Sequence, residues 1–183
     1  MCVRLLKNKK VIFLDGDGTL WYPKKTRRHI APHWIYKDTT IGDAFLKHII
    51  LIPSVLQTLK ILKQRGYILI LISTHPHTKK VADVLLKNKV YHFRLENLLD
   101  AFYTSRDYPE GKGERMADIL KKRNIPKSRA LMIGDSYAYD YMSAKKVGID
   151  CFLINSEYLK PEGRRVKRLI TDVKDVLPIL SEK

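Results

Sequence analysis

An α/β fold with three layers, Rossmann-like, in which helices cover both faces of a central parallel sheet, is predicted by three features of this sequence. Apolar runs short enough to be strands alternate with segments of helical period. Those runs are apolar at consecutive positions, as in parallel strands buried on both faces. An acid follows directly on one of them and one residue beyond another, and the carboxyl ends of the strands are where open parallel sheets collect ligands.

The elements follow in order. VIFL at 11–14 reads as the first strand. Residues 20–52, with KKTRR and APHW, are irregular and read as a loop excursion over the top of the sheet, at most a minimal cap. PSVLQTLKILKQRG sets Val55, Leu56, Leu59 and Leu62 on one helical stripe, with Pro53 suited to the first turn and Gly66 to the end. YILILIS at 67–73 is the next strand. A further helix and strand fill the interval before Lys112, and GERMADILKKRN places Met116, Ile119 and Leu120 on one face. ALMI at 130–133 and CFLI at 151–154 are strands, SAKKVG between them closes a helix at Gly148, and TDVKDVLPIL suggests a short final helix around Pro178.

Composition bounds the function. A chain of 183 residues, 45% hydrophobic, can bury one substantial core, so residues 1–183 are expected to form a single domain. Lys and Arg outnumber Asp and Glu by 35 to 19, and the resulting +16 creates a field that draws phosphate-bearing ligands or polyanions. The two cysteines, Cys2 and Cys151, suggest a reducing compartment rather than a disulfide scaffold. The apolar run after the basic N-terminus is too short for a signal peptide, and no run approaches a membrane span; a cytoplasmic protein with no membrane partner is the expectation.

The stretch DGDGT at 15–19, directly after the first strand, carries the most information. An Asp-Gly pair marks turns in general. A calcium-binding EF-hand loop needs a preceding helix and later acids that are missing here, and no G-x-G-x-x-G occurs. A receiver domain needs its acceptor aspartate at the end of a later strand, and the run ILIP supplies none. What remains is a pocket shared by Asp15 and Asp17, two apart on one side of an extended backbone. Like charges that close need a proton or a cation between them. One carboxylate can attack phosphorus while the second handles the proton of the leaving oxygen, and magnesium suits such oxygen ligands. Other strand ends supply matching groups: Ser73 and Thr74 for phosphate oxygens, Asp135 and Asp140 to complete a magnesium shell, and Lys112 to hold a phosphoryl oxygen.

Through LDGDGTLW, LILIST, YPEGKGE and MIGDSYAYD, in that order, the sequence resembles the haloacid dehalogenase superfamily of phosphohydrolases, most closely its capless magnesium-dependent phosphatases. The resemblance implies an aspartyl-phosphate formed on Asp15, with Asp17 as general acid and base and Ser73 and Lys112 holding the phosphoryl group. It makes Asp135 a Mg2+ ligand beside Asp15 and the Asp17 carbonyl, with Asp140 orienting that shell. One departure is Gly16, where the family usually has a hydrophobic residue; it is expected to loosen the strand tip. His75 reads as a loop histidine, with a phosphate or substrate contact as the alternative.

The intervals between motifs leave no room for a large cap domain, so the site is expected to be open to a small or macromolecular phosphate monoester such as a phosphoprotein or phosphosugar. Lys24, Lys25, Arg27 and Arg28, just beyond Trp21, are candidate substrate contacts, and with Arg164, Arg165, Lys167 and Arg168 they leave nucleic acid open as a partner. Trp21, Tyr22 and Trp34 are candidate stacking surfaces. The runner-up reading is therefore a 3′-phosphatase of nucleic-acid ends, and a third is a phosphate-binding regulatory protein without turnover. Nothing in the sequence fixes an oligomeric state.

Overall fold

The computed structural model describes residue 6 and residues 8–159 and 166–180. Strand β1 (Val11–Leu14) enters the tip and is followed by β2 (Trp21–Pro23), helix α1 (Phe45–His48) and β3 (Ile49–Leu51). Then come α2 (Val55–Gln64), β4 (Ile68–Ser73), α3 (Lys79–His92), β5 (Ala101–Thr104) and α4 (Lys112–Lys122). The chain continues through β6 (Ala130–Gly134), α5 (Ser143–Lys146), β7 (Asp150–Ile154) and β8 (Leu169–Ile170).

Six strands form one sheet in the order β5-β4-β1-β6-β7-β8, all pairs parallel. The chain builds outward from β1 through β4 to β5, then returns to β1's other side for β6. This reversal places β1 at the switch point, where the loops part and leave a crevice at the carboxyl ends. In register, Leu14 pairs with Leu71 and with Ile133, so Asp15, Ser73 and Asp135 leave three adjacent strands within two residues of one level.

The alternation of side chains divides the core into two layers. Ile12 and Leu14 of β1, with Leu69, Leu71, Leu131 and Ile133, face Val55, Leu59 and Leu62 of α2 and Leu86 and Val90 of α3. Val11 and Phe13, with Ile70, Ile72, Ala130 and Met132, face Met116, Ile119 and Leu120 of α4 and Ala144 of α5. Strands carrying apolar side chains to both faces are what the continuous runs predicted.

Three expectations need correction. Leu56 is exposed, and the buried stripe of α2 runs through Val55, Thr58, Leu59 and Leu62, an i, i+3, i+4, i+7 series that leaves position 56 off the face. The terminal helix is only a 3-10 turn, Val173–Val176, capped by Asp172 and ending before Pro178. The excursion is more ordered than a loop: β2 and β3 form an antiparallel hairpin that carries residues 24–48 across the site. Cys2, Arg164 and Arg165 lie outside the described residues, while Cys151 is a buried free thiol. No helix among the described residues is long and apolar enough to cross a membrane.

Candidate active site

Asp15 continues the ladder of β1, its amide donating to the Ile133 carbonyl at 2.9 Å, before the backbone turns. The amides of Thr19 and Leu20 close that turn onto the Gly16 carbonyl at 3.2 and 2.8 Å. Beyond Asp15 the chain is therefore no longer extended, and the two carboxylates, although close enough for Asp17 to act on Asp15, take different hydrogen-bond partners. Each is held by its own lysine, and the two lysines come from opposite helical layers.

Asp15 accepts a hydrogen bond from the ammonium of Lys112, the first residue of α4, and the same ammonium donates to Asp140 Oδ1 at 2.6 Å. Asp140 sits in a π-helical turn, Tyr137–Met142, and its other oxygen accepts the Ser136 amide at 2.9 Å. Asp135, just past β6, accepts from the phenol of Tyr158. Oxygens of Asp15, Asp135 and Asp140 all lie within 4.8 Å of one another, and all three residues are buried. Among the described residues, one ammonium is hydrogen-bonded to these acids. Burial, reinforced by Asp140 and Asp17, outweighs Lys112 and pushes Asp15 up to about 7. Burial together with Asp15 and Asp140 drives Asp135 well above the carboxylate range. Lys112 is held above its ordinary value; burial opposes this, but Asp140 and Asp15 prevail. A dense cluster of hard oxygen donors short of positive charge is the donor set that fits Mg2+.

Asp17, equally buried, has other partners. Its Oδ2 accepts from Lys89 of α3 at 2.8 Å, and its Oδ1 accepts from Trp21 Nε1 at 3.0 Å and from Tyr36 at 2.5 Å. Burial would raise this carboxyl, yet Lys89, His33 and the Tyr36 hydroxyl bring it down to about 2. Lys89 is wholly buried, its ammonium 4.4 Å from the centre of the Tyr36 ring.

The remaining candidates divide. Ser73 is buried at the end of β4, and the Thr74 hydroxyl shares a hydrogen bond with Ser105 at 2.9 Å. Trp21 is corrected: it is fully buried, stacked on Phe93 at 5.6 Å, and serves as a donor to Asp17 rather than as a stacking surface for substrate. Its indole also explains Gly16, because a Cβ there would come 2.5 Å from Trp21 Cζ2; the strand tip is filled rather than loosened. Gly18, at φ +85°, is required twice over, since a Cβ would also fall 2.0 Å from an Asp135 oxygen. Lys24, Lys25 and Arg27 are exposed, and Lys24 donates to the Lys47 carbonyl at 2.8 Å. Arg28 is a staple, donating to the carbonyls of Gly18 at 3.2 Å and Thr171 at 2.6 Å. His75 is buried with neither ring nitrogen hydrogen-bonded, packed on Tyr36 at 4.4 Å and His77 at 5.0 Å between ring centres. Burial and Lys89 lower it to about 3, so it is a neutral packing group at ordinary pH.

Lys89, Tyr36, His33 and Tyr158 escaped the sequence reading. For Lys89 a signal existed: Ala82, Leu86, Lys89 and Val90 follow the apolar spacing of α3, so the lysine lies on the buried stripe.

A family model described as haloacid dehalogenase-like hydrolase matches residues 10–154. No curated protein matches the sequence. Among solved structures, a predicted phosphoglycolate phosphatase from Haemophilus somnus 129PT is 16% identical with a TM-score of 0.77, covering 96% of this chain and 100% of its own. The HAD phosphatase of Thermococcus onnurineus is 17% identical with a TM-score of 0.68, covering 95% and 99%. The 2-haloacid dehalogenase of Pseudomonas syringae pv. tomato DC3000 is 15% identical with a TM-score of 0.64, covering 94% and 98%. At these identities the neighbours define the fold, and their chemistries differ. With the family model spanning every motif from β1 to β7, the chain belongs to the haloacid dehalogenase-like hydrolases.

Proposed function

We propose that the protein is a magnesium-dependent phosphomonoesterase working through an aspartyl-phosphate on Asp15, without a separate cap domain, the 20–52 excursion serving as a minimal one. The observation that carries this reading is the convergence of Asp15, Asp135 and Asp140 within 4.8 Å around the single ammonium of Lys112.

Asp15, Asp135 and the Asp17 carbonyl would hold Mg2+, with Asp140 orienting the shell; the ion supplies charge neutralisation for the phosphoryl oxygens. An Asp15 oxygen attacks phosphorus and a new O–P bond forms as the ester O–P bond breaks. The leaving oxygen takes a proton, and water then cleaves the acyl-phosphate, giving inorganic phosphate and restoring the carboxylate. Lys112 neutralises Asp15 in the ground state and would follow the transferring oxygens, while Ser73 ends the neighbouring strand, and Thr74 follows it, where those oxygens would sit. Asp17 is the proton-handling residue by position, and its use requires a rearrangement of its bonds to Lys89, Trp21 and Tyr36.

A panel of phosphate esters, assayed with and without Mg2+, tests this reading. Release is expected to need the metal and to fall by at least about a thousandfold in Asp15→Asn; full activity in that variant would remove Asp15 as nucleophile.

A further inference from the structure

A cleft of about 360 Å³ begins at Asp135, a member of the acid cluster, and runs away from it between the excursion and the turn after β6. Four of its lining residues carry aromatic rings: His33 beside Ala31 and Pro32 on the excursion, Tyr137 and Tyr139 with Ser136 and Ala138 in the turn, and Tyr158 beside Leu159. No lysine or arginine is among its described lining residues, although the chain as a whole carries +16. Tyr139 is 56% exposed, whereas Tyr158 is tied to Asp135 through its hydroxyl.

We infer that this cleft receives the ester substituent of the substrate, and that the substituent carries a flat, uncharged aromatic ring. The inference rests on the phosphomonoesterase reading, because a phosphoryl group seated at Asp15 places its ester oxygen among the acids, and the rest of the molecule must leave that polar pocket. The cleft shares Asp135 with the pocket and offers an exit of the size of small-ligand sites. Phenol rings and an imidazole gain from stacking on an aromatic face. A second phosphate or carboxylate would meet Asp135 and find no cation in the described lining. A sugar would leave most of its hydroxyls facing apolar walls.

Benzyl phosphate and n-butyl phosphate form the decisive pair, since both release a primary alcohol and one carries an aromatic ring where the other carries an alkyl chain. The wild-type protein with Mg2+ is expected to favour benzyl phosphate by about tenfold in kcat/KM, through KM. Tyr139→Ala should abolish that preference by raising KM for benzyl phosphate much more than for the butyl ester, and Tyr139→Phe should keep it. Adenosine 5′-monophosphate, run in parallel, shows whether the ring is a simple arene or a base borne on a sugar. Equal KM for benzyl and butyl esters, a preference for glucose 6-phosphate, or an equal effect of Tyr139→Ala on every ester would overturn the inference. If no ester is hydrolysed, the phosphomonoesterase reading fails alone: calorimetric binding of benzylphosphonate against n-butylphosphonate still decides the cleft. Tighter binding of the benzyl compound that is lost in Tyr139→Ala sustains the inference, and equal binding ends it.

Discussion

Two buried lysines flank the tip of β1, and they do opposite work. On the α4 side, Lys112 is shared by Asp15 and Asp140 with Asp135 close by, so among the described residues three acids confront one cation. On the α3 side, Lys89 meets Asp17 alone, and an indole and a phenol supply the other hydrogen bonds. The first side is short of positive charge and the second is balanced. An unbalanced site gains most from a divalent ion, so charge counting separates the place proposed for Mg2+ from a lock on the neighbouring acid. Position along the chain does not make this distinction, since Asp15 and Asp17 are two residues apart.

The most severe break of the comparison is to remove each lysine in turn. Lys112→Met and Lys89→Met each strand a buried carboxylate, and each should cost about 3–5 kcal/mol in chemical denaturation without metal. With Mg2+ the two should separate: Lys112→Met recovers much of the loss because the ion replaces the missing charge, while Lys89→Met recovers little. Equal recovery would erase the difference between the two sides.

A pH series sharpens the contrast less drastically. Asp15 stands near 7 in the folded protein against an unfolded value of 3.8, so between these values the folded state holds a proton that the unfolded chain has lost. That contribution to stability is complete below about 4 and disappears as pH rises through 7; Asp135 acts in the same direction. Mg2+ displaces these protons, so the rise in melting temperature on adding Mg2+ should grow between pH 5 and 8. His75, lowered to about 3 from 6.5, contributes oppositely: its stability is intact above 6.5 and fades as pH falls toward 3. Taking the difference between curves with and without metal removes the His75 effect. An increment that shrinks with rising pH would contradict the assignment of the acids.

The balanced side permits the smallest test. Trp21→Phe deletes the indole N–H that donates to Asp17 and is expected to cost about 1.5–3 kcal/mol while leaving the Mg2+ increment unchanged. A changed increment would mean that Asp17's side chain contributes to the metal site.

How much of this was legible in the sequence follows from how local each signal is. The strands β1, β4, β6 and β7 announce themselves as continuous apolar runs, and the acids directly after β1 and β6 are placed by those runs. Lys112 stands out because it opens the helix that precedes β6. The other half of the site is made by distant partners: Lys89 meets Asp17 across 72 positions, Tyr36 across 19, and Tyr158 reaches Asp135 across 23. No spacing rule links such pairs, and Lys89 is further hidden in a helix that contains several solvated lysines. The Asp-Gly pairs signal a turn at Gly16–Leu20, but not that Trp21 packs against Gly16 there. The hairpin of β2 and β3, three residues per strand, is too short to give a period.

Calorimetric titration of Mg2+ into Asp135→Asn and Asp17→Asn compares the two sides most directly. The charge-imbalance account predicts that Asp135→Asn loses measurable Mg2+ binding, whereas Asp17→Asn, which keeps its backbone carbonyl and loses only a carboxylate that Lys89 already neutralises, binds Mg2+ nearly as the wild type does. Loss of binding in Asp17→Asn with retention in Asp135→Asn would contradict it.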